Sequence, residues 1–298
     1  MKSNVCAIVV TYNRLSLLKR CVEKLLNQTL PVSHIVIINN RSTDGTTEYL
    51  ETIDSPMILV HNMFKNEGGA KGFSEGMKYA YKHTSDDAFW IMDDDTFPDE
   101  DALENLVVNK NKIKEKIGFL CSNVRWKDHS STNIPAASSK WSAHIDAGLV
   151  KVDAATFVSV LVSREIVTEL GFPTAELFIW GDDTEFTTRI STRYPCYFVP
   201  ASRVLHYSEK NISDVTIMDD AVTRLSRYKF MYRNLIYIDK KYHSKFKAAK
   251  RFIGNLFAVI ETLVKSRDHR FQRSWMILAG SIEGLTFNPS IEYPTRNR

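Results

Sequence analysis

Short apolar segments alternate with amphipathic segments along the first third of the chain. The apolar segments are residues 5–10, 34–38, 57–60 and 88–92. Segments this short and this continuously apolar are typical of strands buried on both faces. Between the first two, apolar residues recur at helical spacing over residues 16–27. Repeated units of this kind predict an α/β fold, with a mostly parallel sheet flanked by helices.

The later part of the chain is less regular, but it continues with the same kinds of element. Besides a helix over residues 46–52 in the first third, helices are predicted over residues 102–117, 164–170, 182–192 and 224–240. Strands are predicted over residues 118–125, 151–162 and 196–199. A lone histidine, His206, follows the last of these strands. It serves either as a ligand or in a structural role.

Three consecutive carboxylates, Asp93, Asp94 and Asp95, follow the fourth predicted strand. Like charges this close repel one another, and a divalent cation that prefers oxygen ligands would neutralise them. The alternative is a solvated acidic turn before a helix, since acidic side chains are favourable near a helix N-terminus. Open α/β sheets bind ligands at the carboxyl ends of their strands, so the position of the aspartates favours the metal hypothesis.

A glycine-containing loop, residues 66–73, opens the third predicted helix. Its glycines match neither the dinucleotide-binding fingerprint nor a P-loop. They permit either a mobile turn or a close approach of the backbone to a ligand. A second acidic cluster, residues 180–185, opens the helix over 182–192, where acidic side chains are also favourable without any function.

Charge is distributed unevenly within the total of +4. Residues 223–298 hold 16 Lys and Arg against 5 Asp and Glu, whereas residues 1–222 hold 23 against 30. This asymmetry predicts a main domain over residues 1–216 and a basic helical segment over residues 217–298. A basic segment indicates an anionic partner, either nucleic acid or a phospholipid surface. No nucleic-acid-binding motif is recognisable, so we expect no nucleic-acid partner.

The predicted helix over residues 245–264 is strongly amphipathic. Its apolar face comprises Phe246, Ala249, Phe252, Ile253, Leu256, Phe257, Ile260, Leu263 and Val264. We expect this face to pack on the main domain, since any surface helix needs an apolar face. The cations on the same helix keep peripheral membrane contact as the alternative. No apolar segment reaches the ~18–20 residues of a membrane-spanning helix, so we expect a cytosolic or peripheral protein.

Five segments, taken in order, resemble the inverting GT-A glycosyltransferases of family 2. They are Val9-Val-Thr-Tyr-Asn-Arg14, Val36-Ile-Ile-Asn-Asn-Arg-Ser-Thr-Asp-Gly45, Asn66-Glu-Gly-Gly-Ala-Lys-Gly-Phe73, Met92-Asp-Asp-Asp95 and Trp180-Gly-Asp-Asp-Thr-Glu185. Each motif is weak alone, but the ordered set covers about residues 5–210. The last three segments are most similar to bacterial galactofuranosyl- and rhamnosyltransferases, as is the helix with Tyr228, Arg233 and Asn234.

The resemblance implies a metal site and a general base. Asp93, Asp95 and His206 would hold Mn²⁺ or Mg²⁺, which acts as a Lewis acid on the diphosphate of a nucleotide sugar. Asp183 would be the base that takes the proton of the acceptor hydroxyl. Asp182 and Glu185 are the alternatives, because a small shift of the alignment exchanges these acids.

The resemblance also implies a donor site. The residues assigned to it are Thr11, Asn13, Arg14, Asn39, Asn40, Gly69, Lys71, Gly72, Asp93, Asp94 and Trp180. The nucleobase would lie over Thr11, Asn13, Asn39 and Asn40, and Trp180 either stacks on a sugar or packs in the core. The family commonly has Asp where Asn39 stands. An amide both accepts and donates hydrogen bonds, so this departure weakens the choice of uracil over other bases.

The implied function is transfer of galactofuranose from UDP-galactofuranose to a glycan acceptor, which we expect to be lipid-linked. This reaction would belong to the synthesis of a cell-surface polysaccharide such as O-antigen or capsule. A rhamnosyltransferase that uses a dTDP donor is the alternative within the class. A non-catalytic domain whose basic segment binds membranes or polyanions is the alternative from another class. A lipid-linked acceptor would place the enzyme in the cytoplasm, peripheral at the inner face of the plasma membrane. The resemblance is compatible with an oligomer as well as with a monomer.

Overall fold

The computed structural model describes residues 4–211 and 215–295, with a sheet of ten strands at its centre. The strands are β1 Val5–Thr11, β2 His34–Asn39, β3 Ile58–Asn62, β4 Ala88–Asp93, β5 Thr96–Pro98, β6 Phe119–Trp126, β7 Ala136–Ala137, β8 Val150–Ala154, β9 Val160–Ser163 and β10 Tyr197–His206. The α-helices are α1 Leu15–Leu26, α2 Thr46–Glu51, α3 Gly68–His83, α4 Ala102–Lys112, α5 Arg164–Leu170, α6 Asp182–Ser191, α7 Leu225–Ile238, α8 Lys245–Lys265 and α9 Arg270–Thr286.

The strand order is β3-β2-β1-β4-β9-β6-β10-β8-β7, and β5 pairs with β10. The first four strands pair in parallel, as the sequence pattern predicts. The segment predicted as sheet over residues 151–162 forms two strands, β8 and β9, and both run antiparallel to their neighbours. The α/β prediction is therefore confirmed, with a mixed second half of the sheet.

The core has two layers, one on each face of the sheet. Side chains alternate along a strand, so Val5 and Val9 of β1 pack toward α1 and α4, whereas Cys6 and Ile8 pack toward α3. Both layers are closed, which explains why β1 is apolar from Val5 to Val10. The packing leaves the carboxyl ends of β1, β2, β4, β6 and β10 at one edge, where the polar loops lie.

Among the three C-terminal helices, α9 packs on both of the others, α7 and α8. Gly280 of α9 faces the carbonyl of Lys229 so closely that a Cβ there would lie 2.2 Å from the oxygen. Residues 217–298 are predicted to be helical, but α9 has no sequence pattern that predicts it as a separate helix. The buried side of α9 includes Arg273, Ser274 and Ser281, so its apolar residues do not mark a core-facing stripe.

The apolar face of α8 is exposed, and the prediction that this face packs on the main domain is wrong. Phe246 is 81% exposed and Phe257 is 69% exposed. Instead, α8 packs through its opposite side, where Ala248 and Thr262 are buried and Asn255 donates a hydrogen bond to Ser281 at 2.9 Å. No helix in the described parts of the chain has an apolar stretch long enough to cross a bilayer.

Candidate active site

Strand pairing brings together the three residues that the resemblance assigns to a metal. Asp93 ends β4, Asp95 lies in the following turn, and His206 ends β10. The antiparallel register of β5 and β10 places Thr96 opposite His206, and the backbone N–H of Tyr207 donates to the carbonyl of Asp95 at 2.8 Å. One ligand atom from each of Asp93, Asp95 and His206 lies within 4.8 Å of the others.

The residues of this trio fit a divalent cation. Oδ1 of Asp95 is buried and has no hydrogen-bond partner among residues 4–211 and 215–295, although Nε2 of His206 lies 3.2 Å away. The ring of His206 is oriented from its other side, since Nδ1 lies 2.8 Å from Oδ1 of Asn133. An amide oxygen only accepts hydrogen bonds, so Nδ1 carries the hydrogen and Nε2 faces the carboxylates. Two carboxylates and one imidazole are ligands that suit Mn²⁺.

The site is electrostatically frustrated without a cation. Burial, together with the charge of Asp95, raises the pKa of Asp93 to about 8. Burial would lower the pKa of His206, but Asp95 and Asp93 hold it above its ordinary value. Burial would likewise raise the pKa of Asp95, but His206 and Arg14 keep it below its usual range. The cluster therefore retains protons that a bound cation would displace.

The middle aspartate turns away from this trio. Asp94 is buried, and its Oδ2 accepts a hydrogen bond from Thr11 at 2.8 Å. Arg14 donates to Oδ1 of Asp94 at 3.2 Å and to Oδ2 of Asp95 at 2.6 Å. Thr11 thus holds Asp94, and Asp94 in turn holds Arg14, which lines the cleft described below. The assignment of Thr11 and Asp94 to the donor site stays a prediction.

The second acidic cluster begins α6. Gly181, with φ +99°, precedes Asp182, and Oδ1 of Asp183 accepts hydrogen bonds from the backbone N–H and the hydroxyl of Thr184. Burial and the neighbouring Asp183 raise the pKa of Asp182 to about 8. Burial also raises the pKa of Asp183, against the hydrogen bonds from Thr184. Like charges side by side share protons, so this pair can hold a proton near neutral pH.

Both acidic clusters line one cleft of about 670 Å³. Its wall includes Asp93, Asp95, His206, Asn133, Asp182, Asp183, Arg14, Gly69, Trp180, Arg224, Arg227 and Tyr228. The cleft thus combines a cation site, a pair of carboxylates with raised pKa values and three arginines. Since α7 lines the cleft beside α6, the C-terminal segment is part of the site, and the domain boundary near residue 216 stays a prediction.

The loop that carries Trp180 is held by α7. The backbone of Trp180 has φ +57°, which is unusual for a residue other than glycine. Nδ2 of Asn234 donates to the carbonyls of Leu177, Ile179 and Trp180, at 3.0, 3.2 and 2.7 Å. The Trp180 ring lines the cleft and meets Tyr228 edge-on, with 4.9 Å between ring centroids. Trp180 therefore both lines the cleft and packs against the buried cluster that contains Tyr228, and Asn234 positions its loop.

The two asparagines after β2 support loops rather than line the cleft. Asn39 is buried, donates to Thr47 and Asn62, and accepts from the backbone N–H of Ser42. Asn40 donates to the carbonyl of Gly68, so it ties the end of β2 to the glycine loop. Both side chains therefore support neighbouring loops, and their contact with the nucleobase stays a prediction.

Asn13 has a different position from these two. Its side chain is exposed at the end of β1, and its Oδ1 accepts a hydrogen bond from the backbone N–H of Thr43 at 2.7 Å. Among the four residues proposed to lie under the base, Asn13 is thus the exposed one.

The glycine loop contributes one residue to the cleft. Gly69 lines it, and a Cβ there would meet nothing within 4 Å. Gly72 instead lets α3 approach the sheet, since a Cβ would lie 2.6 Å from Val10. Lys71 points to an ion pair with Glu75 at 3.0 Å. Gly72 therefore packs on the sheet and Lys71 forms an ion pair on α3, and their assignment to the donor site stays a prediction.

Glu185, one alternative for the general base, lies in the interior. It is fully buried, it pairs with Arg189 at 3.0 Å, and it accepts hydrogen bonds from Thr174 and Tyr242. It does not line the cleft. These contacts give Glu185 a structural role and leave Asp183 and Asp182 as the acids that face the cleft.

Among the polar residues that line the cleft, the sequence does not assign Asn133, Arg224, Arg227 or Tyr228 to the site. Asn133 lies in the irregular segment between β6 and β7, and nothing local in the sequence marks it. The arginines and Tyr228 belong to a Tyr- and Arg-rich region whose position beside α6 the sequence does not give. The basic composition of this region was the available signal, but it indicated a positively charged surface that binds anions rather than a wall of the cleft.

Comparison with known proteins agrees with this geometry. Residues 6–153 match the family model described as glycosyl transferase family 2. Galactofuranosyltransferase GlfT1 of Mycolicibacterium smegmatis is 26% identical over 202 residues, which cover 62% of this chain and 65% of that protein. The chain thus aligns with somewhat less than two thirds of that relative.

Two solved structures share the fold. GalNAc-T7 with UDP, GalNAc and Mn²⁺ superposes with a TM-score of 0.63 at 16% identity, over 92% of this chain and 54% of that one. The mannosyltransferase PcManGT from Pyrobaculum calidifontis, in complex with GDP-Man and Mn²⁺, gives 0.54 at 16% identity, over 95% of this chain and 87% of that one. Residues 6–153 therefore match the glycosyl transferase family 2 model, and the chain shares the GT-A fold of these transferases.

Proposed function

We propose that this glycosyltransferase is a metal-dependent, inverting galactofuranosyltransferase that uses UDP-galactofuranose as its donor. The acceptor we propose is a glycan, lipid-linked and extended at the inner face of the plasma membrane, as part of a cell-surface polysaccharide. The observation that carries the proposal is one cleft in which Asp93, Asp95 and His206 face the Asp182–Asp183 pair. The similarity to GlfT1 supports galactofuranose as the sugar.

The two clusters divide the chemistry. Asp93, Asp95 and His206 would hold the cation, which neutralises the diphosphate leaving group when bound. Imidazole beside two carboxylates favours Mn²⁺ over Mg²⁺, because Mg²⁺ prefers oxygen ligands alone. The guanidinium of Arg14, fixed by Asp94 and Asp95, adds a positive charge on the same side of the cleft.

Asp183 acts as the general base. As the acceptor hydroxyl oxygen bonds to the anomeric carbon, its proton passes to the Asp183 carboxylate, and the bond from that carbon to the diphosphate breaks. UDP leaves, and the configuration at the anomeric carbon is inverted. A raised pKa suits this role, because a carboxylate with more basic character accepts a proton more readily near neutral pH.

A donor screen tests the proposal. The purified chain with Mn²⁺ is assayed for thermal shift and for nucleotide release with UDP-galactofuranose, dTDP-rhamnose, UDP-galactose and GDP-mannose. We expect a selective shift and release with UDP-galactofuranose, since a ligand that binds only the folded state raises its stability. Selective use of dTDP-rhamnose would replace the donor in the proposal with that of the rhamnosyltransferase alternative.

A pair of variants tests the base. Asp183→Asn should abolish transfer and leave the thermal shift with UDP and Mn²⁺ unchanged, because the amide cannot accept the proton. Asp101→Asn is the matched control, since Asp101 is an exposed acid outside the cleft. Loss of UDP binding in Asp183→Asn would contradict the role of Asp183 as base and assign it to the donor site.

A further inference from the structure

The two C-terminal helices expose their apolar residues and bury their small and polar ones. On α8, Phe246, Ile253, Phe257, Ile260 and Val264 are 81%, 55%, 69%, 59% and 69% exposed. On α9, Phe271, Trp275, Ile282 and Leu285 are 81%, 58%, 51% and 46% exposed. We call these nine side chains the α8–α9 apolar surface. A soluble helix normally does the opposite and turns its apolar stripe to the core.

Polar contacts on the inner sides of α8 and α9 keep the apolar side chains facing outward. Asn255 of α8 donates to Ser281 of α9 at 2.9 Å, and Ser274 of α9 donates to the carbonyl of Val259 at 3.2 Å. Arg273 of α9 is buried on the inner side of that helix, where it donates a hydrogen bond to the carbonyl of Ile217. Since these polar contacts hold the inner sides of both helices, the apolar surface cannot turn inward without breaking them.

Cations accompany the apolar surface. Residues 245–276 hold eight Lys and Arg against two Asp and Glu. Lys250, Arg267 and Arg270 are exposed and make no ion pair with any residue in the described parts of the chain. Exposed aromatic and aliphatic residues with unpaired cations beside them match an anionic lipid surface, where the apolar side chains enter the acyl boundary and the cations meet phosphates.

We propose that the α8–α9 apolar surface docks the enzyme on anionic phospholipid bilayers as a peripheral membrane protein. The charge favours lipid over a second copy of this chain, because two such basic surfaces would repel each other across a symmetric interface. The docked helices connect to the cleft through α7, which packs on α9 and contributes Arg227 and Tyr228 to the cleft wall. Docking does not depend on which donor the enzyme uses.

Vesicle co-sedimentation of the full chain tests the proposal with two independent variants. The first is Phe246→Ser, Phe257→Ser and Phe271→Ser, three exposed positions where the change leaves the packed side untouched. The second is Lys250→Glu, Arg267→Glu and Arg270→Glu. The vesicles are pure phosphatidylcholine or phosphatidylcholine with 30% phosphatidylglycerol, at low and high salt.

We expect wild-type protein to bind the anionic vesicles and to bind less at high salt, because salt screens the cations. The aromatic variant should lose about tenfold or more in partition coefficient, since it removes three large apolar side chains. The charge variant should lose at least about tenfold, and only on anionic vesicles.

Matched controls keep these losses interpretable. Phe64→Ser removes a fully exposed aromatic residue outside α8 and α9. Lys82→Glu, Lys114→Glu and Arg193→Glu reverse three exposed cations elsewhere on the protein. Both controls should bind as wild type, and circular dichroism should report the same fold for all variants.

Two outcomes would overturn the proposal. One is wild-type protein that fails to bind either kind of vesicle. The other is a stable dimer in light scattering that the aromatic variant dissociates, which would show that a second copy covers the surface.

Discussion

Nδ1 of His206 lies 2.8 Å from Oδ1 of Asn133, and this contact fixes which ring nitrogen faces Asp93 and Asp95. Asn133 itself stands at φ +47°, in the left-handed region that asparagine tolerates better than most residues. A residue from an irregular loop thus orients a candidate metal ligand that comes from a strand.

Asn133→Ala should therefore weaken Mn²⁺ binding by roughly 10–100-fold, as is usual when a hydrogen bond behind a metal-bound histidine is lost. Isothermal titration with Mn²⁺, without any sugar donor, measures the effect directly. Asn111→Ala, at an exposed asparagine at the end of α4, is the control and should bind Mn²⁺ as wild type. Unchanged affinity in Asn133→Ala would show that His206 needs no orientation by Asn133.

Mn²⁺ binding should strengthen as the pH rises from 6 to 8. Asp93 has a pKa raised to about 8, and the pKa of His206 is also raised, so both hold protons at pH 6 that must leave before they can act as ligands. Titration in two buffers of different ionisation enthalpy should show proton release on binding, larger at pH 6 than at pH 8. Affinity that is independent of pH would contradict this arrangement of charges.

The same shifts predict how the metal-free protein responds to pH. A carboxyl group whose pKa is raised on folding keeps its proton in the folded state at a pH where the unfolded chain has lost it. The contributions of Asp93 and Asp182 therefore reduce the free energy of unfolding as the pH rises from about 4, the ordinary pKa, toward their folded values of about 8. Replacing Asp93 by Asn should flatten that part of the denaturant-midpoint profile against pH. A profile identical to wild type would argue against a raised pKa at Asp93.

The sequence predicts the parallel half of the sheet well because both faces of its strands are buried, as in β1 and β2. It also predicts that Asp93, Asp95 and His206 meet, through the family resemblance and the position of Asp93 at a strand end. It does not predict α9, because the buried side of that helix holds Arg273 and Ser281 while Phe271 and Trp275 face solvent.

Site residues that depend on tertiary position escape sequence reasoning for a similar reason. Asn39 and Lys71 have the chemistry of donor contacts, but local partners use their polar atoms. Asn133 and Arg227 have no recognisable motif, and only the folded chain brings them to the cleft. Residue type alone therefore does not distinguish a polar residue that lines the cleft from one whose polar atoms are used by its neighbours in the fold.

Glu185→Gln should destabilise the protein without the selective loss of transfer expected for Asp183→Asn. The change leaves the buried guanidinium of Arg189 without its charged partner, and breaking a buried ion pair typically costs about 3–5 kcal/mol. Thermal and urea unfolding measure the loss, with Asp183→Asn as the comparison. Residual transfer should scale with the folded fraction. Full stability with no transfer would return Glu185 to the list of candidate bases.

Arg227→Ala should raise the KM for the donor with a smaller effect on kcat. Arg227 lines the cleft, and within residues 4–211 and 215–295 its side chain has no ion pair or hydrogen bond. Burial, with the charges of Arg224 and Arg14, lowers its pKa, which indicates a concentration of positive charge that an anionic ligand would relieve. A charge-assisted hydrogen bond to a diphosphate is worth about 1.5–3 kcal/mol, so the expected rise in KM is roughly 10–100-fold.

Arg193→Ala, at an exposed arginine outside the cleft, is the control and should leave the KM unchanged. Arg227→Lys should recover part of the lost donor affinity, because it restores the positive charge without the planar set of donors of a guanidinium. A KM unaffected by Arg227→Ala would place the diphosphate away from α7.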